Sequence, residues 1–142
     1  MAVTQISVFL ENRPGQLAEI TGVLFREGVN LRALNIAETA DYGVLRLIAD
    51  NSELACRVLA ERGFIYSVGK VAAVTVPDEP GGLFRILNLL AEAGVDVEYM
   101  YSIFGGRDGK AYMVMKMDEE KARAVLKASG FPPANAEDIG LH

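Results

Sequence analysis

Asn12-Arg13-Pro14-Gly15-Gln16-Leu17 returns 66 positions later as Asp78-Glu79-Pro80-Gly81-Gly82-Leu83. The same offset carries Gly28-Val29-Asn30 onto Gly94-Val95-Asp96. After one inserted residue, Gly63-Phe64 becomes Gly130-Phe131, and Ala55, Val58 and Leu59 fall on Ala122, Val125 and Leu126. Three anchors in one order mark an internal duplication, and self-similarity of this kind governs every later assignment. The chain is therefore read as two repeats, 1–69 and 70–142.

In the first repeat, Ile6, Val8 and Leu10 alternate with Ser7 and Phe9, and the run stops at Asn12-Arg13-Pro14-Gly15, the pattern of a strand entering a loop. A helix follows, with Leu17, Ile20, Val23 and Leu24 as its apolar stripe, Pro14 suited to its first turn and Gly28 placed to stop it. Leu31 to Ile36 reads as a strand, Asp41-Tyr42-Gly43 as a turn and Val44 to Ala49 as the antiparallel partner. A second helix starts near Ser52 or Glu53, carries Leu54, Val58 and Leu59 and ends at Gly63, leaving Phe64 to Val68 for a fourth strand. The order βαββαβ, with right-handed crossovers, predicts an α+β ferredoxin-like module: a four-stranded antiparallel sheet with both helices on one face.

The second repeat predicts strands at Val71 to Val76, Val97 to Phe104 and Ala111 to Met117, with helices near Pro80 to Ala93 and Glu119 to Ser129. Phe131-Pro132-Pro133-Ala134-Asn135 interrupts the place of its last strand, because proline donates no hydrogen bond to a ladder, so a short or irregular edge is expected there. Met113, Met115 and Met117 recur at period two with Tyr112 and Val114 between them, which predicts a central strand packed on both faces.

Composition limits the function. In a chain of 142 residues each repeat is near the lower size at which a domain folds alone, so the 51% apolar content predicts burial between modules and a homo-oligomer, most simply a homodimer. A net charge of −5 argues against nucleic-acid binding, which calls for a basic face. No apolar run approaches a membrane span and the first residues lack the pattern of a signal peptide, so a cytoplasmic protein that does not engage membranes is expected. Cys56 is the one cysteine and His142 the one histidine. That supply excludes an internal disulfide and a histidine triad, and neither a metal centre nor a cofactor is expected.

In both repeats Pro-Gly opens the first helix, bringing backbone amides to a helix N-terminus where a carboxylate would gain hydrogen bonds and the positive end of the dipole. Arg13-Pro14-Gly15-Gln16-Leu17 and Gly81-Gly82-Leu83 make up these corners. Asn12 or Asp78 can cap the helix or hold an ammonium group. The second polar position is Asn30-Leu31 in one repeat and Asp96-Val97 in the other, at the far end of each helix. A neighbouring repeat, packed through first helices and second strands about a two-fold axis, would set one against the other and enclose a zwitterion. Met100, on the second strand, is either pocket lining or ordinary strand packing.

Glu11-Asn12-Arg13-Pro14-Gly15 followed by Gly28-Val29-Asn30 resembles the ACT domain, especially that of phosphoglycerate dehydrogenases, and the pattern fits both repeats. The resemblance implies a tandem, stand-alone, amino-acid-binding regulatory protein in which Asn12 and Asn30 contact the effector, with Asp78 and Asp96 in the same places. Dehydrogenase domains carry a histidine two positions before the loop asparagine, where this chain has Leu10, so serine specificity does not carry over. The carboxylates of Asp78 and Asp96 favour a cation and repel an anion, which predicts unequal sites.

Three functional classes follow. The first is a non-enzymatic sensor whose free amino-acid effector biases one arrangement of modules, read out by a metabolic enzyme or a transporter. The second is an assembly subunit similar to the small regulatory subunits of acetolactate synthase, with degenerate pockets. The third, a hydrolase similar to acylphosphatases, rests on Arg13 and Asn35 alone and lacks the glycine-rich phosphate cradle of that family. No catalytic residue is assigned.

Overall fold

The computed structural model describes residues 2–11, 13–38 and 42–141. The elements run β1 (Ala2–Glu11), α1 (Gln16–Arg26), β2 (Leu31–Glu38), β3 (Tyr42–Ala49), α2 (Ser52–Glu61), β4 (Tyr66–Pro77), α3 (Gly82–Glu92), β5 (Tyr99–Ser102), β6 (Lys110–Lys116) and α4 (Glu119–Ala128). A short 3-10 turn, Glu137–Ile139, follows. The chain divides into two compact units. One holds Thr4–Gly69 together with Gly140 and Leu141, and the other holds Lys70–Ile139 together with Ala2 and Val3.

In the first unit the strand order is β2-β3-β1-β4. Ile6 lies opposite Leu47, Val8 opposite Leu45 and Leu10 opposite Gly43, so the apolar set of β1 and β3 shares one face. That face meets Ile20, Val23 and Leu24 of α1 and Ala55, Val58 and Leu59 of α2 in a single core. Period-two strands and period-3.6 helices present their apolar faces to each other here, and fully burying each such side chain contributes roughly 1.5–3 kcal/mol.

The second unit repeats the plan with β4-β6-β5 and helices α3 and α4. Ala72, Val74, Val76 and Met115 pack against Ile86, Leu90, Ala122 and Leu126. Met113 and Met117 are partly buried against the same core, while Tyr112 and Val114 are buried on the opposite face of β6, as the double alternation predicts. The last strand is reduced to one bridge between Pro133 and Val74, with the Ala134 amide donating to the Ala73 carbonyl at 3.2 Å. Pro132-Pro133 therefore ends the ladder where the sequence places the break.

Several boundaries differ from expectation. Phe64 to Val68 and Val71 to Val76 are not two strands. Tyr66 to Pro77 is one strand of twelve residues that passes straight through Gly69-Lys70. Tyr42 and Gly43 belong to β3 and not to a turn, and Asp41 lies outside the described residues. The predicted strand Val97 to Phe104 shrinks to Tyr99–Ser102, which leaves Val97 before it.

Helix capping follows side-chain chemistry in α2 and α4, where Asn51 accepts from the Leu54 amide at 3.1 Å and Asp118 from the Lys121 amide at 3.3 Å. Asn51→Ala is expected to cost about 1 kcal/mol in urea unfolding, because one amide at the start of α2 loses its acceptor. An unchanged midpoint would show that water replaces the cap without loss.

Candidate functional site

The two loop-to-helix corners share one backbone device. Gly15 (φ 85°) and Gly81 (φ 83°) stand at the helix starts in the left-handed region, each after a proline, and neither helix has a side-chain cap. In the second repeat the Gly82 amide donates to the Glu79 carbonyl at 3.0 Å, closing a type II turn with Pro80 and Gly81 in its central positions. This corrects two expectations. Asp78 does not cap α3, and Pro14 sits in the turn ahead of α1, which begins at Gln16. Asn12 lies outside the described residues.

What lies inside each corner differs, and one pair of substitutions accounts for it. Gln16 is buried, and its Oε1 accepts a short hydrogen bond from the Glu11 amide. The matching pair in the second repeat is Gly82 and Pro77. Proline has no amide to satisfy, so no acceptor is needed, and the backbone closes up instead. A Cβ on Gly82 would stand 2.0 Å from the Pro77 carbonyl oxygen. Gly82, expected as a ligand contact, is thus held by packing. Gln16 is tied through Oε1, while its Nε2 has no partner among the described residues.

Arg13 is held between two carboxylates, to Glu19 at 2.9 Å and Glu11 at 3.3 Å, all at the surface. Its hydrogen bond to Glu19, more than that to Glu11, holds its pKa above the ordinary arginine value. A ligand carboxylate at Arg13 would have to share it with both.

The first corner borders a recess of about 160 Å3. Leu10, Leu17 and Ile36 give it apolar walls, Arg13 and Gln16 line it from the corner, and Tyr42 and Gly43 close it from β3. The register explains the meeting, since Glu11 pairs with Tyr42 and Leu10 with Gly43. Ile36, Tyr42 and Gly43 had no motif to announce them, because alignment of β1 with β3 is a tertiary fact.

Asn30 lies at the other end of the same unit. Leu31 pairs with Ala49, and the Asn30 amide donates to Asp50 Oδ1 at 2.9 Å while its carbonyl accepts from the Asp50 amide. Asp96 has the matching place after α3 and is exposed. The structure therefore brings Arg13, Gln16 and Leu17 together and leaves Asn30 apart from them within the unit. Among the apolar candidates, Leu17 and Leu31 pack against the first core, and Leu83, Val97 and Met100 against the second. Asp78 is exposed, and its amide is taken by the Gly109 carbonyl at 2.8 Å.

Cys56 is half-buried against the first core, and burial pushes its thiol pKa up. Among the described residues, histidine, cysteine, aspartate and glutamate form no cluster able to hold a metal ion. Among the described residues, no helix is long and apolar enough to cross a membrane.

Two βαββαβ units with Pro-Gly corners define a duplicated ferredoxin-like module. A family model for an ACT domain pair matches residues 1–133, and the chain belongs to that family. A crystal structure of a Bacteroides thetaiotaomicron protein is similar over 99% of this chain and 96% of its own, with 37% identity and a TM-score of 0.90. The ligand-free regulatory subunit of aspartate kinase from Thermus thermophilus shares the fold at 18% identity and a TM-score of 0.66, covering 89% of this chain and 90% of that one. No curated protein matches the chain.

Proposed function

We propose that this protein is a non-enzymatic regulator that senses a free amino acid where two ACT modules meet, in a cytoplasmic homodimer. The carrying observation is the recess beside the first corner. Its volume of about 160 Å3 holds on the order of five waters at ~30 Å3 each, room for part of an amino acid. The remainder would be covered by a module of a second chain, presenting Asn30 or Asp96.

In this reading the ligand carboxylate takes the amides at the start of α1, the Nε2 of Gln16 and a share of Arg13. The ammonium takes side-chain oxygens from Asn12 and Glu11 and from the partner module. A corner with Asn12 closed by Asp96 receives its carboxylate from the partner module, whereas one with Asp78 closed by Asn30 carries it in the loop, so the two classes of site bind unequally. Gly82 and the Pro77 carbonyl already fill the second corner, which makes the first the stronger site.

A thermal-shift panel of the proteinogenic amino acids tests the proposal. Ligand at 100 times its dissociation constant adds about 2.7 kcal/mol, and the shift is expected for a few related compounds only. A flat panel overturns the sensor reading. The assembly-subunit reading draws on Phe25 of α1 and Phe84 of α3, 78% and 69% exposed, as contacts for a large metabolic partner. Co-purification of such a partner together with a flat panel would favour it.

A further inference from the structure

A pocket of the second unit lies beside the end of β4 and shares Pro77 with the second corner. It measures about 560 Å3, within the range of small-molecule sites. Thr75 and Pro77 lie on its floor. They alternate along β4 with Val74 and Val76, which face the helices, so the pocket opens on the other face of the sheet. One wall is the Phe131-Pro132-Pro133 segment and the other is the turn between β5 and β6.

Both walls are fixed. Arg107 and Lys110 exchange backbone hydrogen bonds of 3.1 and 3.0 Å, and between them Asp108 (φ 55°) and Gly109 (φ 71°) are both left-handed, the geometry of a type I′ turn. The proline wall is tied to β4 through the Val74–Pro133 bridge, and Arg107 of the turn pairs with Asp138 of the following 3-10 turn at 3.3 Å. Proline rings offer an apolar surface with no amide left to satisfy.

The rigid turn carries opposite charges at Asp108 and Lys110, and among the described residues neither side chain has a hydrogen-bond or ion-pair partner. Two exposed opposite charges, set two residues apart on one tight turn beside an apolar wall, match one kind of ligand. We propose that this pocket is a second small-molecule site that takes a zwitterion with a flat apolar body. Its carboxylate pairs with the Lys110 ammonium, its ammonium with the Asp108 carboxylate, and its apolar body lies on Phe131, Pro132 and Pro133. Its lining shares Pro77 with the second corner, and its charged groups, Asp108 and Lys110, lie outside that corner.

Calorimetry on the full chain with L-phenylalanine, 2-phenylethylamine and 3-phenylpropionate tests this. Phenylalanine is expected to bind about tenfold more tightly than either fragment, since each lacks one charge. Lys110→Met should weaken phenylalanine and spare the amine. Asp108→Asn, which keeps a residue tolerant of the left-handed region, should weaken phenylalanine and spare the acid. Absence of phenylalanine binding at millimolar concentration overturns the proposal, as does binding unaltered by both pocket variants. Unchanged circular dichroism of the variants shows that the effects are local.

Discussion

Gly82→Ala is expected to destabilise the second unit by about 1–3 kcal/mol in urea unfolding, the usual cost of forcing an atom into a packed place. The new Cβ would stand 2.0 Å from the Pro77 carbonyl oxygen, and backbone oxygen cannot swing aside as a flexible side chain can. Relief requires the strand end and the helix start to part, which disturbs Pro77 opposite Lys110. Gly81→Ala tests a different cause, since its Cβ meets open space and the strain lies in φ 83° alone. A Gly82→Ala protein as stable as the parent would show that this close approach does not hold the corner together.

Gln16→Ala is expected to cost a similar amount, about 1–3 kcal/mol, for the opposite reason. The Glu11 amide loses the side-chain oxygen that it donates to, and a part-buried donor without an acceptor forfeits part of its desolvation energy. The two repeats suggest the rescue. Combining Glu11→Pro with Gln16→Gly removes donor and acceptor together, as the second repeat does, and should recover most of the lost stability. Denaturant midpoints for single and double variants decide the matter. Additive losses would mean that the two positions are not coupled as described.

The fold was legible because each repeat states its periods plainly. Leu17, Ile20, Val23 and Leu24 at helical spacing and Ile6, Val8 and Leu10 at strand spacing reached the core that their pattern implies. The broken last strand was also legible, since Pro132 and Pro133 lack the donors that a ladder needs. Gly69-Lys70 misled because glycine at an exposed strand position interrupts nothing when the ladder continues on either side. Asp78 misled because its side chain suits a helix cap, yet Pro80 and Gly81 impose a type II turn that places glycine there.

The site was legible only in part. Arg13-Pro14-Gly15-Gln16 pointed to the corner, but Ile36 and Tyr42 arrive there through strand register, which a single sequence does not state. The bond from the Glu11 amide to Gln16 was likewise hidden, although comparing Glu11 and Gln16 with Pro77 and Gly82 at the common offset offers the signal that could have found it. The pocket beside Lys110 escaped because its proline wall read as a strand that had failed.

Calorimetry of the amino acid that gives the largest thermal shift, titrated into the parent chain and into Asn12→Ala and Asp96→Ala, is the most direct test of an effector held between ACT modules. Dissociation constants raised about tenfold or more in at least one variant, with folding intact, are the expected result. An amino acid that binds all three proteins equally would contradict the account.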